Sequence, residues 1–241
     1  MRYAIIADVH GNLDAFEAVA KDIRNEGVDG TFCLGDLIGY GAEPEACIKL
    51  AKSISDKIVV GNHDAAVTGR LSLQWFNEYA RQALVWASGM LSSDDLKFLS
   101  ELPLVETGDG CELVHASLYK AESFPYVLTG LDAKQCFDLM SERVCFAAHT
   151  HVPVIYVEDG DRIAVVHEWE WKVEEGKRYI VNVGSVGQPR DRDTRSAYAL
   201  YDSEAGTVEI RRVSYDVGAA ADKILKAELP GLLAERLYEG L

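Results

Sequence analysis

The chain has few cysteines, no long hydrophobic run and a shortage of positive charge. Its five cysteines are odd in number and form no Cys-x-x-Cys pair, which argues against a disulfide framework and against a zinc-thiolate site. No stretch approaches the roughly 18 apolar residues of a membrane-spanning helix. The apolar run over residues 3–7 is followed at once by the acidic Asp8, so it does not have the pattern of a secretory signal. We therefore expect a cytoplasmic protein.

Basic residues are outnumbered, with 24 lysines and arginines against 39 aspartates and glutamates and a net charge of −15. This balance opposes nonspecific binding to nucleic acid and to anionic membranes. We therefore expect neither a nucleic acid duplex nor a membrane as a partner. A small phosphorylated substrate remains compatible, because bound divalent cations would make a site locally positive inside an acidic protein.

The length and pattern of the chain predict one α/β domain over residues 1–241. Strands are predicted over residues 3–7, 31–34, 58–60, 111–115 and 144–147, with antiparallel strands over 152–183 and a hairpin over 196–214. Helices are predicted over residues 13–26, 44–52, 73–91, 94–102, 132–141 and 217–241, the last broken at Pro230.

A helical segment over about residues 72–102 is predicted to pack beside the active-site edge of this domain. It is rich in large apolar side chains, and we interpret these as core or cap residues rather than as an aromatic binding site. They are Trp75, Phe76, Tyr79, Trp86 and Met90.

Polar residues follow each of the first three predicted strands, at Asp8, at Asp36 and at Asn62 to Asp64. Any one of them alone would be interpreted as a turn or a helix cap. Three in succession favour a site instead, because open α/β sheets bind their ligands at the carboxyl ends of the strands.

Five of the six histidines lie in the same ordered set of motifs. In chain order the motifs are Asp8-Val9-His10, Gly35-Asp36, Gly61-Asn62-His63-Asp64, His115 and His149-Thr150-His151. Carboxylate, amide oxygen and neutral imidazole suit hard or borderline divalent metals. Alternate residues of an extended chain share a side, so each pair spaced by one residue could reach a single ion. Only His167 lies outside the set, at a predicted surface position.

Asp36 has two oxygens and is the natural candidate to bridge two ions, and Asn62 offers a neutral carbonyl oxygen. Two ions about 3.5–4 Å apart suit phosphoryl transfer, because a water held between them loses its proton near neutral pH. The ions would also polarise the phosphoryl oxygens in an in-line transition state. His63 is placed as a general acid for the leaving oxygen, and the following Asp64 could orient and protonate it.

Together these motifs resemble the calcineurin-like metallophosphoesterase superfamily, and they are most similar to its small bacterial phosphoesterases and its diadenosine tetraphosphatase-like members. The resemblance covers Met1 to about Tyr201. It implies a four-layer αββα sandwich, in which two mixed β-sheets are flanked by helices. The chain departs from the family pattern at Ala148, where glycine is usual.

The resemblance also implies which residues bind the metals. One ion would be held by Asp8, His10, Asp36 and His151, and the other by Asp36, Asn62, His115 and His149. His63 would be the catalytic imidazole, with Asp64 as its partner. Two divalent ions are implied; manganese is preferred, and iron, zinc, nickel and cobalt are alternatives.

Two glycine-rich loops, Gly35 to Gly41 and Asn182 to Arg190, also resemble the family and are expected near the site. Tyr40 and Arg190 are therefore candidate substrate contacts, although such residues are more often turn or surface residues. The predicted function is a dinuclear metal-dependent phosphoesterase that cleaves phosphoester or phosphoanhydride bonds by in-line attack of a metal-bridging hydroxide. The expected substrate is nucleotide-like, either a phosphodiester or a dinucleoside polyphosphate.

Three alternatives use the same fold. The first is a non-catalytic interaction scaffold like the small subunit of the retromer complex, the second a protein serine/threonine phosphatase, and the third a DNA nuclease. Scaffolds of this kind tend to lose the catalytic histidine, whereas His63 and every implied ligand are present here. The acidic balance opposes the nuclease, and the compact length leaves little surface for docking a protein substrate.

Overall fold

Two six-stranded mixed sheets pack face to face in the computed structural model of the chain, which describes residues 1–241. The strands are β1 (Arg2–Ile6), β2 (Gly30–Cys33), β3 (Lys57–Ile58), β4 (Val105–Gly108), β5 (Cys111–Val114), β6 (Val144–Ala147), β7 (Val154–Asp159), β8 (Arg162–Val166), β9 (Glu170–Lys172), β10 (Arg178–Asn182), β11 (Ser196–Asp202) and β12 (Thr207–Val213). The helices are α1 (Leu13–Glu26), α2 (Pro44–Ile54), α3 (Asn62–Val67), α4 (Glu78–Met90), α5 (Ser93–Glu101), α6 (Gly130–Phe137), α7 (Val217–Lys226) and α8 (Gly231–Glu239).

The order of strands is β3-β2-β1-β11-β12-β9 in the first sheet and β4-β5-β6-β10-β7-β8 in the second. In the first sheet β1, β2 and β3 are parallel, and in the second β5, β6 and β10 are parallel. The remaining pairs are antiparallel. The parallel strands of each sheet therefore end at a common edge, where their following loops can share a site.

Strand alternation builds the layers, because successive side chains of a strand point to opposite faces. In β1, Ile5 joins the core between the two sheets, whereas Ala4 and Ile6 join the core beneath the helices. The same core holds Phe16 of α1 and Ile48 of α2. Helix α6 covers the outer face of the second sheet. The predicted sandwich of two mixed sheets flanked by helices is confirmed.

Helix α1 carries its boundaries in its sequence. The side chain of Asn12 accepts a hydrogen bond from the amide of Ala15 (3.1 Å), and Gly27 ends the helix in the left-handed region with φ 62°. Both are standard helix end signals. The buried face consists of Ala15, Phe16, Val19, Ala20 and Ile23, which is the periodic pattern that predicted the helix.

Two helical predictions were wrong in detail. The helix predicted over residues 73–91 begins only at Glu78, because the side chain of Asn77 caps it by accepting from the amide of Ala80 (3.0 Å). The preceding residues Leu73–Trp75 form a separate 3-10 turn. Helix α3 was not predicted at all, because its residues were interpreted only as a polar motif after a strand.

The C-terminal helices α7 and α8 pack in one hydrophobic cluster with Ala80 and Ala83 of α4 and with the ring of Tyr40. The break predicted near Pro230 separates the two helices. No helix of the fold is both long and apolar enough to cross a membrane.

Candidate metal centre

The predicted functional residues lie together at one edge of the two sheets. The loops after β1 and β2 and the start of α3 after β3 carry six of these residues, and the loops after β5 and β6 carry the other three. All of the side chains are buried, none more than 8% exposed. The set consists of Asp8, His10, Asp36, Asn62, His63, Asp64, His115, His149 and His151. Such a buried polar cluster requires internal partners or bound ions to offset its desolvation.

The backbone is strained at these same positions. Five of them lie in the left-handed region with φ between 51° and 68°, namely Asp8, His10, Asp36, His149 and His151. Each such non-glycine residue costs on the order of 1 kcal/mol or more. The two residues of each motif, Asp8 with His10 and His149 with His151, therefore lie in left-handed turns. The extended chain expected from the sequence is not observed at either motif. Strain of this kind clusters at functional sites.

Glycine is required where the loops approach each other. A Cβ atom on Gly61 would lie 2.0 Å from Asp36 Oδ1, and one on Gly39 would lie 2.2 Å from His63 Nδ1. Only glycine allows the loops after β2 and β3 to pack this closely. Ala148, by contrast, does not lie in the left-handed region, and its methyl group packs in the core between the sheets. Nothing in the backbone requires glycine there.

Asp8, His10 and His151 form the first group of potential ligands, with one donor atom from each within 4.8 Å of the others. His151 Nε2 lies 3.4 Å from Asp8 Oδ1, and His10 Nε2 lies 3.6 Å from the same oxygen. The two Nε2 atoms are 3.1 Å apart. This group matches three of the four residues implied for one metal.

Asp36, His115 and His149 form the second group. His115 Nε2 lies 3.4 Å from Asp36 Oδ2 and 3.2 Å from His149 Nδ1. The amide oxygen of Asn62 is 3.0 Å from His115 Nε2. All four residues implied for the other metal therefore lie side by side.

The imidazole tautomers explain why these groups suit a cation. His10 Nδ1 donates to the carbonyl of Ile38 (3.1 Å), and His151 Nδ1 donates to that of Gln188 (2.6 Å). His115 Nδ1 likewise faces the carbonyl of Leu34 (2.8 Å). In the neutral rings the Nε2 atoms then carry lone pairs that point at one another and at carboxylate oxygens. Backbone bonds of this kind orient histidine ligands in metal sites.

In the carboxylates of Asp8 and Asp36, one oxygen is hydrogen-bonded to the backbone and the other is not. Asp8 Oδ2 accepts from the amide of His149 (3.1 Å), and Asp36 Oδ1 accepts from the amide of His63 (2.8 Å). The other oxygen of each carboxylate is buried without a hydrogen-bond partner. A divalent ion would satisfy both of these oxygens.

Asp36 is the predicted bridging residue, and its Oδ1 accepts from the amide of His63. Asp36 Oδ2 lies 3.6 Å from His10 Nε2 and 3.4 Å from His115 Nε2. This oxygen therefore lies between the two ligand groups, where a bridging ligand is expected.

Charge within the cluster shifts the proton affinities strongly. Burial alone would lower the pKa of His115, but the carboxylates of Asp36 and Asp8 outweigh it and raise that pKa to about 9. Burial, with the charge of His115, lowers the pKa of His149 to about 3. Against the effect of burial, His115 and His63 hold the pKa of Asp36 well below its usual range. The cluster therefore favours ionised carboxylate beside cationic charge.

The predicted pairing of Asp64 with His63 is wrong. The Asp64 carboxylate accepts from the amides of Asp36 (2.8 Å), Leu37 (3.0 Å) and Gly61 (3.1 Å), and no hydrogen bond joins it to His63. A carboxylate at the third position of α3 reaches back to the amide before the helix, as in a capping box. Asp64 therefore fixes the loop that carries Asp36.

His63 lines the open part of the site, and its Nδ1 atom has no hydrogen-bond partner. Its ring contacts Tyr40, Phe76 and His10, with centroid distances of 4.7, 5.1 and 4.6 Å. His63 also forms a group within 4.8 Å with His10 and Asp36. The geometry thus brings this imidazole within reach of the ligands as well as of the cleft.

A cleft of about 400 Å³ opens over both ligand groups. Tyr40 and Arg190, the predicted substrate contacts, both line it, and the guanidinium donates to the Tyr40 hydroxyl (3.3 Å) and to Gln188 Oε1 (2.9 Å). Sequence reasoning missed the other aromatic lining residues on this cleft, Phe124 and Tyr126 among them. They follow β5 in a segment with no recognisable motif.

Comparisons with known proteins agree with this architecture. The model of the calcineurin-like phosphoesterase superfamily domain matches residues 1–206. An uncharacterized protein of Methanocaldococcus jannaschii is 39% identical over 243 residues, which cover 98% of this chain and 97% of that protein.

Solved structures give the same result. The crystal structure of a metallophosphoesterase from Sphaerobacter thermophilus superposes with a TM-score of 0.90 and 37% identity, over 100% of this chain and 99% of the other. A hypothetical protein from Pyrococcus horikoshii superposes with a TM-score of 0.81 at 20% identity, over 100% and 98% of the two chains, and so shares the fold. The family match and these full-length similarities show that the chain belongs to the calcineurin-like phosphoesterase superfamily.

Proposed function

We propose that the protein is a phosphoesterase that uses two divalent metal ions to hydrolyse a phosphoester or phosphoanhydride bond of a small nucleotide-like substrate. The observation that carries the proposal is the pair of unpartnered buried oxygens, Asp8 Oδ1 and Asp36 Oδ2, each surrounded by imidazole nitrogens at the base of one cleft. Neither oxygen has another role in the fold.

The first ion would be held by Asp8, His10, Asp36 and His151, and the second by Asp36, Asn62, His115 and His149. Bound divalent ions supply Lewis acidity to phosphoryl oxygens and lower the pKa of bound water. The chain itself supplies orientation, since backbone carbonyls fix three of the imidazoles and backbone amides fix both carboxylates. We expect manganese to support activity best.

Two groups on the cleft wall are suited to the substrate. His63 lines the cleft, where its imidazole could pass a proton to the leaving oxygen. Arg190 is held by Gln188 and Tyr40 with part of its guanidinium left for a phosphoryl oxygen. A cleft of about 400 Å³ suits a small molecule better than a protein segment. We propose that the protein acts on this substrate in the cytoplasm.

The test is a panel of phosphoesters assayed with apo protein reloaded with manganese, zinc, iron, nickel or cobalt. The panel should include aryl phosphomonoesters and phosphodiesters, cyclic nucleotides, dinucleoside polyphosphates and a phosphopeptide. We expect turnover of a phosphodiester or a dinucleoside polyphosphate and its loss on chelation. Bound metal should measure about two equivalents per chain.

Two matched variants distinguish the effect of losing a metal ligand from the effect of losing any acidic side chain. Asp8→Asn should lose metal and activity, whereas Glu17→Gln, an exposed acidic position on α1, should retain both. Metal binding without turnover of any phosphoester would support the non-catalytic scaffold and overturn the enzyme. Faster turnover of the phosphopeptide than of every nucleotide would favour a protein phosphatase.

A further inference from the structure

Two large aromatic side chains line the cleft and yet remain largely exposed. Trp75 ends the 3-10 turn before α4 and is 81% exposed, and Tyr126 follows β5 and is 51% exposed. Trp75 is therefore not a core residue, which was one of the two interpretations of this segment. Leaving an indole in water on the wall of a site forgoes the burial that usually stabilises it, so its position requires another explanation.

Tyr126 is partly covered and partly exposed. Its ring stacks on His149 with a centroid distance of 4.2 Å and an interplanar angle of 20°. Since half of the residue is exposed and it lines the cleft, part of Tyr126 remains accessible to a ligand there. The stack therefore continues from the metal centre outward to an open aromatic surface.

Few charged side chains line the part of the cleft that lies away from the metal centre. Arg190 is the only lysine or arginine that lines the cleft, and the one lining carboxylate outside the predicted ligands belongs to Glu122. The rest of this wall is largely apolar or aromatic. A substrate group bound here must therefore gain its affinity from stacking and apolar contact rather than from ion pairing.

We propose that Trp75 and Tyr126 bind the planar base of a nucleotide by stacking, while its phosphate lies at the metal centre beside Arg190. This inference rests on the proposed phosphoesterase function and adds the groups that select a base-bearing substrate. Every nucleobase has a π-face, so stacking of this kind tolerates different bases. This pair of aromatic residues, Trp75 and Tyr126, is called the clamp. It would favour substrates with a base near the scissile phosphate over sugar phosphates that have no base.

The experiment compares AMP with ribose 5-phosphate, which share the phosphoribosyl group and differ by adenine. Isothermal titration calorimetry on the manganese-loaded protein gives a Kd for each. We expect AMP to bind at least tenfold more tightly. Stacking on one aromatic ring is worth about 5- to 150-fold in affinity, so Trp75→Ala or Tyr126→Leu should lower that ratio by at least about fivefold or bring it to unity. Tyr126→Phe should preserve the ratio.

Controls for general surface effects are Trp169→Ala and Tyr238→Ala, which remove aromatic residues that are 49% and 59% exposed outside the cleft. Neither should change the ratio. Metal content is measured for each variant, because Tyr126 touches a predicted ligand. Trp75 makes no ring contact with a predicted ligand, so Trp75→Ala remains decisive if Tyr126→Leu loses metal.

Equal affinities for the two ligands in the wild type, or a ratio unchanged in Trp75→Ala, would overturn the stacking proposal. Phosphoester turnover would still stand in that case. Conversely, a base-dependent ratio lost in Trp75→Ala would support the clamp even if no phosphoester were hydrolysed, and the proposed function alone would fail. Absence of binding by both ligands would also overturn the stacking proposal, whereas the phosphoester panel would still decide the proposed function.

Discussion

The floor of the cleft is made of buried polar side chains on strained backbone, whereas its rim is made of exposed aromatic side chains on ordinary turns. Asp36 and His151 on the floor are no more than 2% exposed and lie in the left-handed region. Trp75 and Tyr126 on the rim are exposed, and neither has a positive φ. The floor is thus held in place by the fold, whereas the side chains of the rim are exposed to whatever enters the cleft.

Removal of metal should affect the floor of the cleft and not the rim, because only the floor carries predicted metal ligands. Chelation should abolish turnover. It should also lower the midpoint of thermal unfolding, because ligand binding to the native state alone stabilises it by mass action. Differential scanning calorimetry with and without chelator measures the shift. Metal restoration should recover both properties, and an unchanged midpoint would mean that the floor does not bind metal tightly.

His63→Gln tests whether the floor separates metal binding from proton transfer. We expect kcat to fall by about 10²- to 10⁴-fold, because glutamine keeps polarity but cannot act as an acid. Metal content should remain near the wild-type value, because His63 is not among the implied ligands. Loss of metal together with activity would instead assign His63 to the group that it forms with His10 and Asp36.

Gly61→Ala probes how tightly the floor is packed. The added Cβ would lie 2.0 Å from Asp36 Oδ1 and 2.2 Å from the Asp36 amide nitrogen. The clash involves backbone that cannot move away freely, so we expect a destabilisation of about 3 kcal/mol together with weaker metal binding. Urea unfolding and metal titration measure the two effects. Wild-type stability and metal affinity would show that the loops are looser than described.

Asp64→Asn tests the revised role of this residue. Its carboxylate accepts from three backbone amides, and an asparagine would turn an NH₂ group toward at least one of them. We expect a loss of about 1–3 kcal/mol, with KM and kcat affected only as far as Asp36 shifts. A loss of kcat without loss of stability would restore Asp64 as a partner of His63.

The floor was predictable from sequence and the rim was not, for a physical reason. Asp8, Asp36 and His115 belong to one ordered set of residue types that ligate metals, and this set can be recognised without knowledge of the fold. The partners of Asp64 were missed because sequence adjacency suggested His63, whereas its side chain turns back to amides of two loops. Trp75 was missed because apolar periodicity treats every aromatic residue as core.

Gly89→Ala is the smallest expected effect and the counterpart of Gly61→Ala. Gly89 lies in α4, has no atom within 4 Å of an added Cβ, is exposed and does not have a positive φ. Alanine should therefore stabilise the protein by up to about 1 kcal/mol, because it reduces the entropy of the unfolded chain and favours helix. Urea unfolding measures the gain, and metal affinity should not change. The two substitutions add the same methyl group. A lower free energy of unfolding for Gly61→Ala and a higher one for Gly89→Ala would therefore attribute the destabilisation at Gly61 to the tight packing of the site. A loss at Gly89 would mean that α4 has packing contacts beyond those described here.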